Sequence, residues 1–499
     1  MKFWNPEIIM PKLPENLYRV EQVRELDRIA IQEFGIPGYE LMNRAAMASF
    51  RIIRMNWREI DGVAIFCGSG NNAGDGYVLA RLMMEARMGV VVHAVAPPSQ
   101  LKGDALDAFQ DYQAIGGKTI DFHPSIEYSA NTLIDAILGT GVNREVTGRF
   151  AEAIETINQA GKTVISLDIP SGLNADTGVK MGEAVCANAT ITFIGLKQGI
   201  FTGDAPDCCG EIYFSSLDVP EDLYPKVPTT TTLMKDPDFQ HRKRCAHKGK
   251  FGHVLVVGGS HGFSGAARLS GEAAARIGAG LVSIATQPEH AGYMNVMVPE
   301  LMCHGVDNQQ QLQALIQKAT VIVIGPGLGQ SKWAKELWQQ VMATEDKLLV
   351  VDADALNLLA KNVQYKSNWI LTPHPGEAAR LLGCTTSDIH CDRFAAVSAI
   401  QKKFGGCCVL KGAGSLITDG KSILVSTTGN PGMASGGMGD VLTGVIAGLL
   451  AQGMGHYQAT ASSVYLHGKA ADQAAEEFGE RGMLASDLMV YLRQLVNPK

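Results

Sequence analysis

The chain has 499 residues, 46% of them hydrophobic and 19% charged, with a formal net charge of −7. That length is too great for one ordinary core and predicts at least two domains, while the apolar content excludes a disordered chain. The negative balance, with no basic block beyond the short run 241–250, argues against a nucleic-acid or membrane-surface partner.

The first residues, MKFWNPEIIMPKLP, hold no apolar run long enough for a secretory leader. No stretch reaches the roughly twenty apolar residues that cross a bilayer. Ten cysteines are scattered without a C-x-x-C pair, which speaks against a zinc cluster and suits a reducing compartment. A cytoplasmic protein is expected.

In chain order, helical spacing covers 18–34 and 39–57. Short apolar runs at 63–67, 90–95, 132–138, 163–168, 189–194 and 211–214 read as strands, and 76–87, 104–115 and 150–159 read as helices. This alternation predicts a mostly parallel, doubly wound, Rossmann-like sheet with helices on both faces. The pattern stops in LDVPEDLYPKVPTTTTLMKDPDF, so 217–240 reads as a linker. A second series opens with GHVLVVGGSHGFSGAA. It continues through strands at 320–324, 347–352, 369–371 and 407–410 and ends in helices at 437–451, 457–477 and 485–495. Cys407 and Cys408 fall in a buried-strand pattern and read as small hydrophobes. The expected class is α/β, in two three-layer α/β/α domains.

The loop in VAIFCGSGNNAGDGYVLARLM fits the loose G-x-G-x-x-A rule for dinucleotides through Gly68, Gly70 and Ala73. A dehydrogenase would place an acid at the end of the following strand to hold the ribose. Here that strand reads VVVHAVAPPSQ and offers none. Asn71, Asn72 and Asp75 are also more than the rule asks for. Asp168 ends a strand just before Pro170, so its carboxylate can reach the crevice at the strand ends as an acid or base.

NPGMASGGMGDVLTG sets Gly436, Gly437 and Gly439 before Asp440 at the start of an apolar helix. Converging N–H groups and the helix dipole favour an anion there, and a neighbouring carboxylate can deprotonate an attacking hydroxyl. The alternative is a glycine-rich helix contact capped by Asp440. VLKGAGS runs a strand into Lys411 and a tight turn, suited to a nucleotide or to a plain hairpin. His374 follows a strand and is a ligand or a structural residue. Asp352 and Asp354 fall at another strand end, where helix capping by one of them is the plainer reading.

KGKFGHVLVVGGSHGFSGAA, IGPGLG, DADALNLL, TPHPGEAARLLG, LKGAGS and NPGMASGGMGD together resemble the nicotinamide-nucleotide-hydrate dehydratases, over about 228–497. The resemblance implies a ribokinase-like fold and dehydration of hydrated NADH or NADPH, driven by ADP cleaved to AMP and phosphate. It implies nucleotide contacts at Lys411, Gly412, Ala413, Gly414, Ser415 and Gly439. Hydrate contacts are implied at Ala267, Gly327, His374 and Asp440. Asp440 would deprotonate the hydrate's C6 hydroxyl, and the N–H groups of 437–439, with Mg²⁺, would hold the developing charge.

GSGNNAGDGYVLARLM, IDAILGTGVNREVTG and VISLDIPSGLNADTG resemble the nicotinamide-nucleotide-hydrate epimerases, over about 18–217. That resemblance implies interconversion of R and S hydrates. Substrate would meet Asn71, Asn72, Ala73, Gly74 and Asp75, the second loop Gly139, Thr140, Gly141, Val142, Asn143, Arg144 and Glu145, and Asp168. Asn72, Asp135 and Ser171 would hold K⁺. The expected domains are an epimerase over 1–220 and a dehydratase over 228–499, assembled as a homo-oligomer on small-molecule substrates. Two rivals stand: a ribokinase-like small-molecule kinase with an accessory nucleotide-binding domain, and a non-catalytic scaffold in the first half.

Overall fold

The computed structural model describes residues 13–57, 60, 62–125 and 130–497. The chain divides into two compact units between Thr231 and Thr232.

The first unit is built on a seven-stranded parallel sheet. Its order is Thr119–Asp121, Gly89–Ala94, Gly62–Cys67, Thr132–Ala136, Thr163–Leu167, Ala189–Phe193 and Glu211–Ser215. Both faces of the central strands are buried, as helix-covered parallel strands require. Val63, Ile65, Ile134 and Ile165 pack with the helices Val20–Gln32, Gly38–Asn56 and Asn71–Glu85. Their alternates Ala64, Phe66, Leu133 and Val164 pack with the helix Arg149–Gln159. Strand order reverses between Gly62–Cys67 and Thr132–Ala136, and the loops after these two strands bound the crevice where open α/β sheets bind ligands.

The second unit follows the same logic. Its strands run Met302–Gly305, Leu281–Thr286, His253–Val257, Val321–Ile324, Leu348–Val351, Trp369–Leu371 and Cys407–Leu410 in parallel, then Leu416–Thr418 and Ile423–Val425 antiparallel. Val254, Val323 and Val350 pack with the helices Ser264–Arg276, Met438–Ala451 and His456–Phe478, while Leu255, Ile322 and Leu349 are fully buried on the other face.

Three expectations are corrected. The helix expected at 76–87 starts at Asn71, because its first turn is polar and glycine-rich and so carries no apolar spacing. A Cβ on Gly76 would stand 2.7 Å from Ala136 Cβ, so that glycine serves helix–sheet packing. The linker read at 217–240 is structured over much of its length. A 3₁₀ turn, Glu221–Lys226, buries Leu223, the Tyr224 hydroxyl donates to Ile194 O at 2.9 Å, and a strand runs Thr231–Leu233. Lastly, Thr119–Asp121 adds an edge strand that the sequence did not suggest.

Cys407 and Cys408 are buried in their strand, and burial pushes both thiols up, Cys407 to about 12. Among the described residues no helix is long and apolar enough to cross a membrane.

Candidate active sites

In the first unit a cleft of about 1090 Å³ opens at the strand ends. Asn71, Asn72, Asp75, Asp168 and all of 139–145 line it. A Cβ on Gly139 would lie 3.4 Å from both Asp168 Oδ2 and Asn72 Cβ, so the three motifs converge on one point. Ala73 and Gly74 face away: Ala73 is fully buried, and a Cβ on Gly74 would strike Met42 at 2.6 Å. Their expected substrate contact is not a side-chain contact. They pack the helix so that Asn71, Asn72 and Asp75 present themselves.

Asp168 has φ +67, and Ile169 N donates to Leu167 O at 2.8 Å, which makes Asp168 the centre of a γ-turn with positive φ, a rare and strained form. Ile194, ending the neighbouring strand, repeats this arrangement with φ +57 and Gly195 N donating to Phe193 O. The second turn leads into Leu196–Lys197, which pairs in parallel with Asn16–Tyr18. Lys197 Nζ thereby ion-pairs with Asp168 Oδ1 and donates to Thr192 Oγ1 and Phe193 O, both at 3.0 Å. Lys197 is 1% exposed, a buried cation committed to that carboxylate. Sequence reasoning missed Lys197, and also Asp27 and Arg24, which line the same cleft. Only the pairing of a two-residue strand with a distant segment brings Lys197 to the site.

Asp135 and Ser171 lie just behind this surface, both fully buried. Asp135 accepts from Ser171 Oγ at 2.5 Å, Ser171 N and Ser166 Oγ at 2.8 Å, and Ile137 N at 3.2 Å. Burial raises its pKa and these donors oppose the rise. Ser171 Oγ also lies 3.1 Å from Leu138 O, although its one hydrogen can serve only one acceptor. Asn72 Nδ2 donates to Leu138 O at 3.0 Å, while Asn72 Oδ1 is buried without a partner. Oxygen acceptors outnumber donors here, a chemistry that suits a hard cation.

The second unit gathers Lys411, Asp352, Glu377, Gly439 and Asp440. Lys411 Nζ stands 2.9 Å from Asp352 Oδ1 and 3.9 Å from Glu377 Oε2. A Cβ on Gly439 would lie 3.1 Å from Lys411 Nζ and 3.6 Å from Asp352 Oδ2. Gly437 starts the helix Met438–Ala451 with φ +92, the left-handed conformation glycine supplies. Burial, together with Asp352, pushes the Asp440 carboxyl up to about 7. A carboxyl in that range can take a proton near neutral pH.

Capping is the wrong reading for Asp352. It occupies the N-cap position of Ala353–Lys361 without a side-chain cap bond, because its oxygens take Lys411 Nζ and Thr443 Oγ1 instead. Asp354 accepts from Gly329 N at 2.8 Å and ties down the 325–329 loop. His374 caps the helix Pro375–Leu382, its Nδ1 accepting from Gly376 N at 3.0 Å. Burial lowers its pKa, and the neutral ring keeps a hydrogen on Nε2 to donate. The 411–415 segment is indeed a hairpin turn, joining Cys407–Leu410 to Leu416–Thr418. Buried Arg393 braces it by donating to Leu410 O, Lys411 O and Gly414 O at 3.2–3.4 Å. Ala267 is fully buried, whereas Ala266 is half-buried and would meet a Cβ on Gly327 at 3.2 Å. Of the two, Ala266 is the one beside Gly327.

Residues 254–494 match the family described as NAD(P)H-hydrate dehydratase, and residues 38–199 match YjeF-related protein N-terminus. The bifunctional NAD(P)H-hydrate repair enzyme Nnr of Coxiella burnetii is 47% identical, covering 97% of this chain and 99% of its own. That of Escherichia coli is 39% identical, covering 98% and 95%. Among solved structures, the ADP/ATP-dependent NAD(P)H-hydrate dehydratase from Bacillus subtilis, co-crystallized with ATP/Mg²⁺, is 29% identical. It covers 51% of this chain and 92% of that one, with a TM-score of 0.46. Similarity of this depth along nearly the whole length carries one conclusion: the chain belongs to the bifunctional NAD(P)H-hydrate repair enzymes.

Proposed function

We propose that the chain restores damaged nicotinamide coenzymes by two reactions. An epimerase domain over 1–220 interconverts R and S hydrates of NADH and NADPH. A dehydratase domain over 228–499, beyond the connecting 217–240, returns the S hydrate to the coenzyme while converting ADP to AMP and phosphate. The observation that carries the reading is the pair of sites itself: each unit holds, at its strand ends, a cluster of carboxyls set among glycine loops with one of them ion-paired to a lysine.

In the second reaction Asp440 removes the proton of the C6 hydroxyl, whose oxygen attacks the terminal phosphoryl group. The N–H groups of 437–439 and Lys411 receive the developing charge. The C6–O bond then breaks with its electron pair leaving on phosphate, pushed by the ring-nitrogen pair, and water takes the C5 proton as the C5–C6 double bond forms. Lys411, Gly412, Ala413, Gly414, Ser415 and Gly439 hold the nucleotide, and Gly327 and His374 the hydrate. Mg²⁺ on the nucleotide phosphates would supply charge neutralisation, with the carboxylates of Asp352, Glu377 and Asp440 at that end of the unit. In the first reaction Asp168 moves the proton, and Arg24, Arg144 and the start of the helix Asn71–Glu85 attract phosphate. K⁺ would fit among the oxygens of Asn72, Asp135, Ser171 and Leu138, where its charge stabilises an anionic substrate. The free thiols support a cytoplasmic setting, and family resemblance supports a homo-oligomer.

The test is an ADP-dependent assay on separated hydrates. Absorbance at 340 nm should return from the S hydrate alone when epimerisation is disabled, and from both when it is not. A stable phosphorylated product would instead identify a kinase.

A further inference from the structure

We propose that Asp27 is the second catalytic carboxyl of the epimerase cleft, working with Asp168 as an acid/base pair whose members are carried by different elements. The proposal rests on the epimerase reading above. It names a residue outside the family match at 38–199 and outside every motif in the sequence.

Asp27 is carried by the helix Val20–Gln32, whereas Asp168 stands on the sheet rim, and both line the one cleft. That helix is anchored from its first residue, as Val20 N donates to Asp176 Oδ1 at 2.7 Å. Asp27 is half-buried, and no hydrogen bond among the described residues engages its carboxyl. Asp168, by contrast, is committed to Lys197. The two acids therefore differ in kind, one ion-paired with Lys197 and one not. Burial and the nearby Asp168 charge raise Asp27 to about 6, against the opposing pull of Lys197. Asp75, from the helix Asn71–Glu85, is raised as well by burial, Asp168 and Asp27. Three carboxyls facing one lysine cannot all ionise cheaply, so the cleft retains a proton.

Inversion at C6 uses one donor and one acceptor. Protonated Asp27 gives its proton to the C6 hydroxyl. The C6–O bond breaks, its electron pair leaves on water, and the ring-nitrogen pair forms the C6–N1 double bond. Water then adds to the opposite face. Its oxygen forms the new C6–O bond, the C6–N1 π pair returns to nitrogen, and the surplus proton passes to Asp168. Nothing is oxidised or reduced, and the pair ends with the proton on the other carboxyl, set for the reverse direction.

The experiment follows inversion of purified R hydrate by the full chain in ¹⁸O-water, with native protein, Asp27→Asn and Asp27→Glu. Native protein should incorporate solvent oxygen on inversion, and its rate from R to S should fall as pH rises through about 6. Asp27→Asn should slow inversion by about 100-fold or more and lose that pH limb, and Asp27→Glu should recover part of the rate. Inversion by Asp27→Asn within threefold of native, a native profile without the limb, or retention of the original oxygen overturns the proposal. A native chain that leaves the R hydrate untouched defeats the epimerase reading instead.

Discussion

Asp352 holds Lys411 by a 2.9 Å ion pair in which the aspartate side chain is 2% exposed. Its other oxygen lies 2.9 Å from Thr443 Oγ1, so one side chain joins the strand-end lysine to the helix that begins at the glycine-rich loop. Removing one partner of a buried pair leaves the other charge stranded, at a cost of about 3–5 kcal/mol. Asp352→Asn should lower the denaturation midpoint of the second unit and raise the KM for ADP. Urea unfolding and initial rates measure both, and an unchanged midpoint would show the pair to be idle.

Asp440→Ala should abolish dehydration while the R and S hydrates still equilibrate. The native dehydration rate should carry a matching pH signature. A base works in its ionised form, so with a carboxyl near 7 the rate rises with pH up to about 7 and falls on the acid side. A kcat profile that is flat between pH 5 and 8 would remove Asp440 as the base.

Asp168→Ala should leave only the S fraction of a mixed hydrate sample consumable. Lys197→Met should slow inversion about as strongly, because the uncharged side chain no longer steadies the carboxylate. The measurement is the plateau of the 340 nm recovery, and complete recovery with Asp168→Ala, faster than spontaneous exchange, would refute its role.

Replacing K⁺ by a bulky organic cation should slow epimerisation and lower the melting temperature of native protein. The Asn72→Leu variant should show little further response to that exchange, because the unpartnered Oδ1 is gone. Dehydration of the S hydrate is the internal comparison, and equal salt responses in both proteins would argue against a cation at Asn72.

The sequence carried the strand ends well, because a fully buried parallel strand is a plain apolar run and a glycine loop after it marks the rim. The positions of Asn71, Asp75, Asp168, Lys411 and Asp440 at the rims are legible in this way. What it did not carry were partners joined only by topology. Lys197 lies in a two-residue strand beyond a γ-turn, and Asp27 is one polar residue on an amphipathic helix, where a solvated face is the ordinary reading. Asp352 shows the reverse problem. Its position before a helix suggests a cap, and only the approach of Lys411 and Thr443 from elsewhere in the chain redirects its oxygens.

The turn that aims Asp168 has a consequence for anyone who improves this protein for use at high temperature. A residue with a Cβ is disfavoured at φ +67 by about 1–2 kcal/mol, which glycine largely avoids. Glycine at 168 alone would strand the buried Lys197 charge at a cost of about 3–5 kcal/mol, so selection for heat resistance will favour paired replacements at 168 and 197 that relieve the backbone, leave no unpaired charge and delete the reaction. A library screened by melting curve therefore needs an inversion assay beside it.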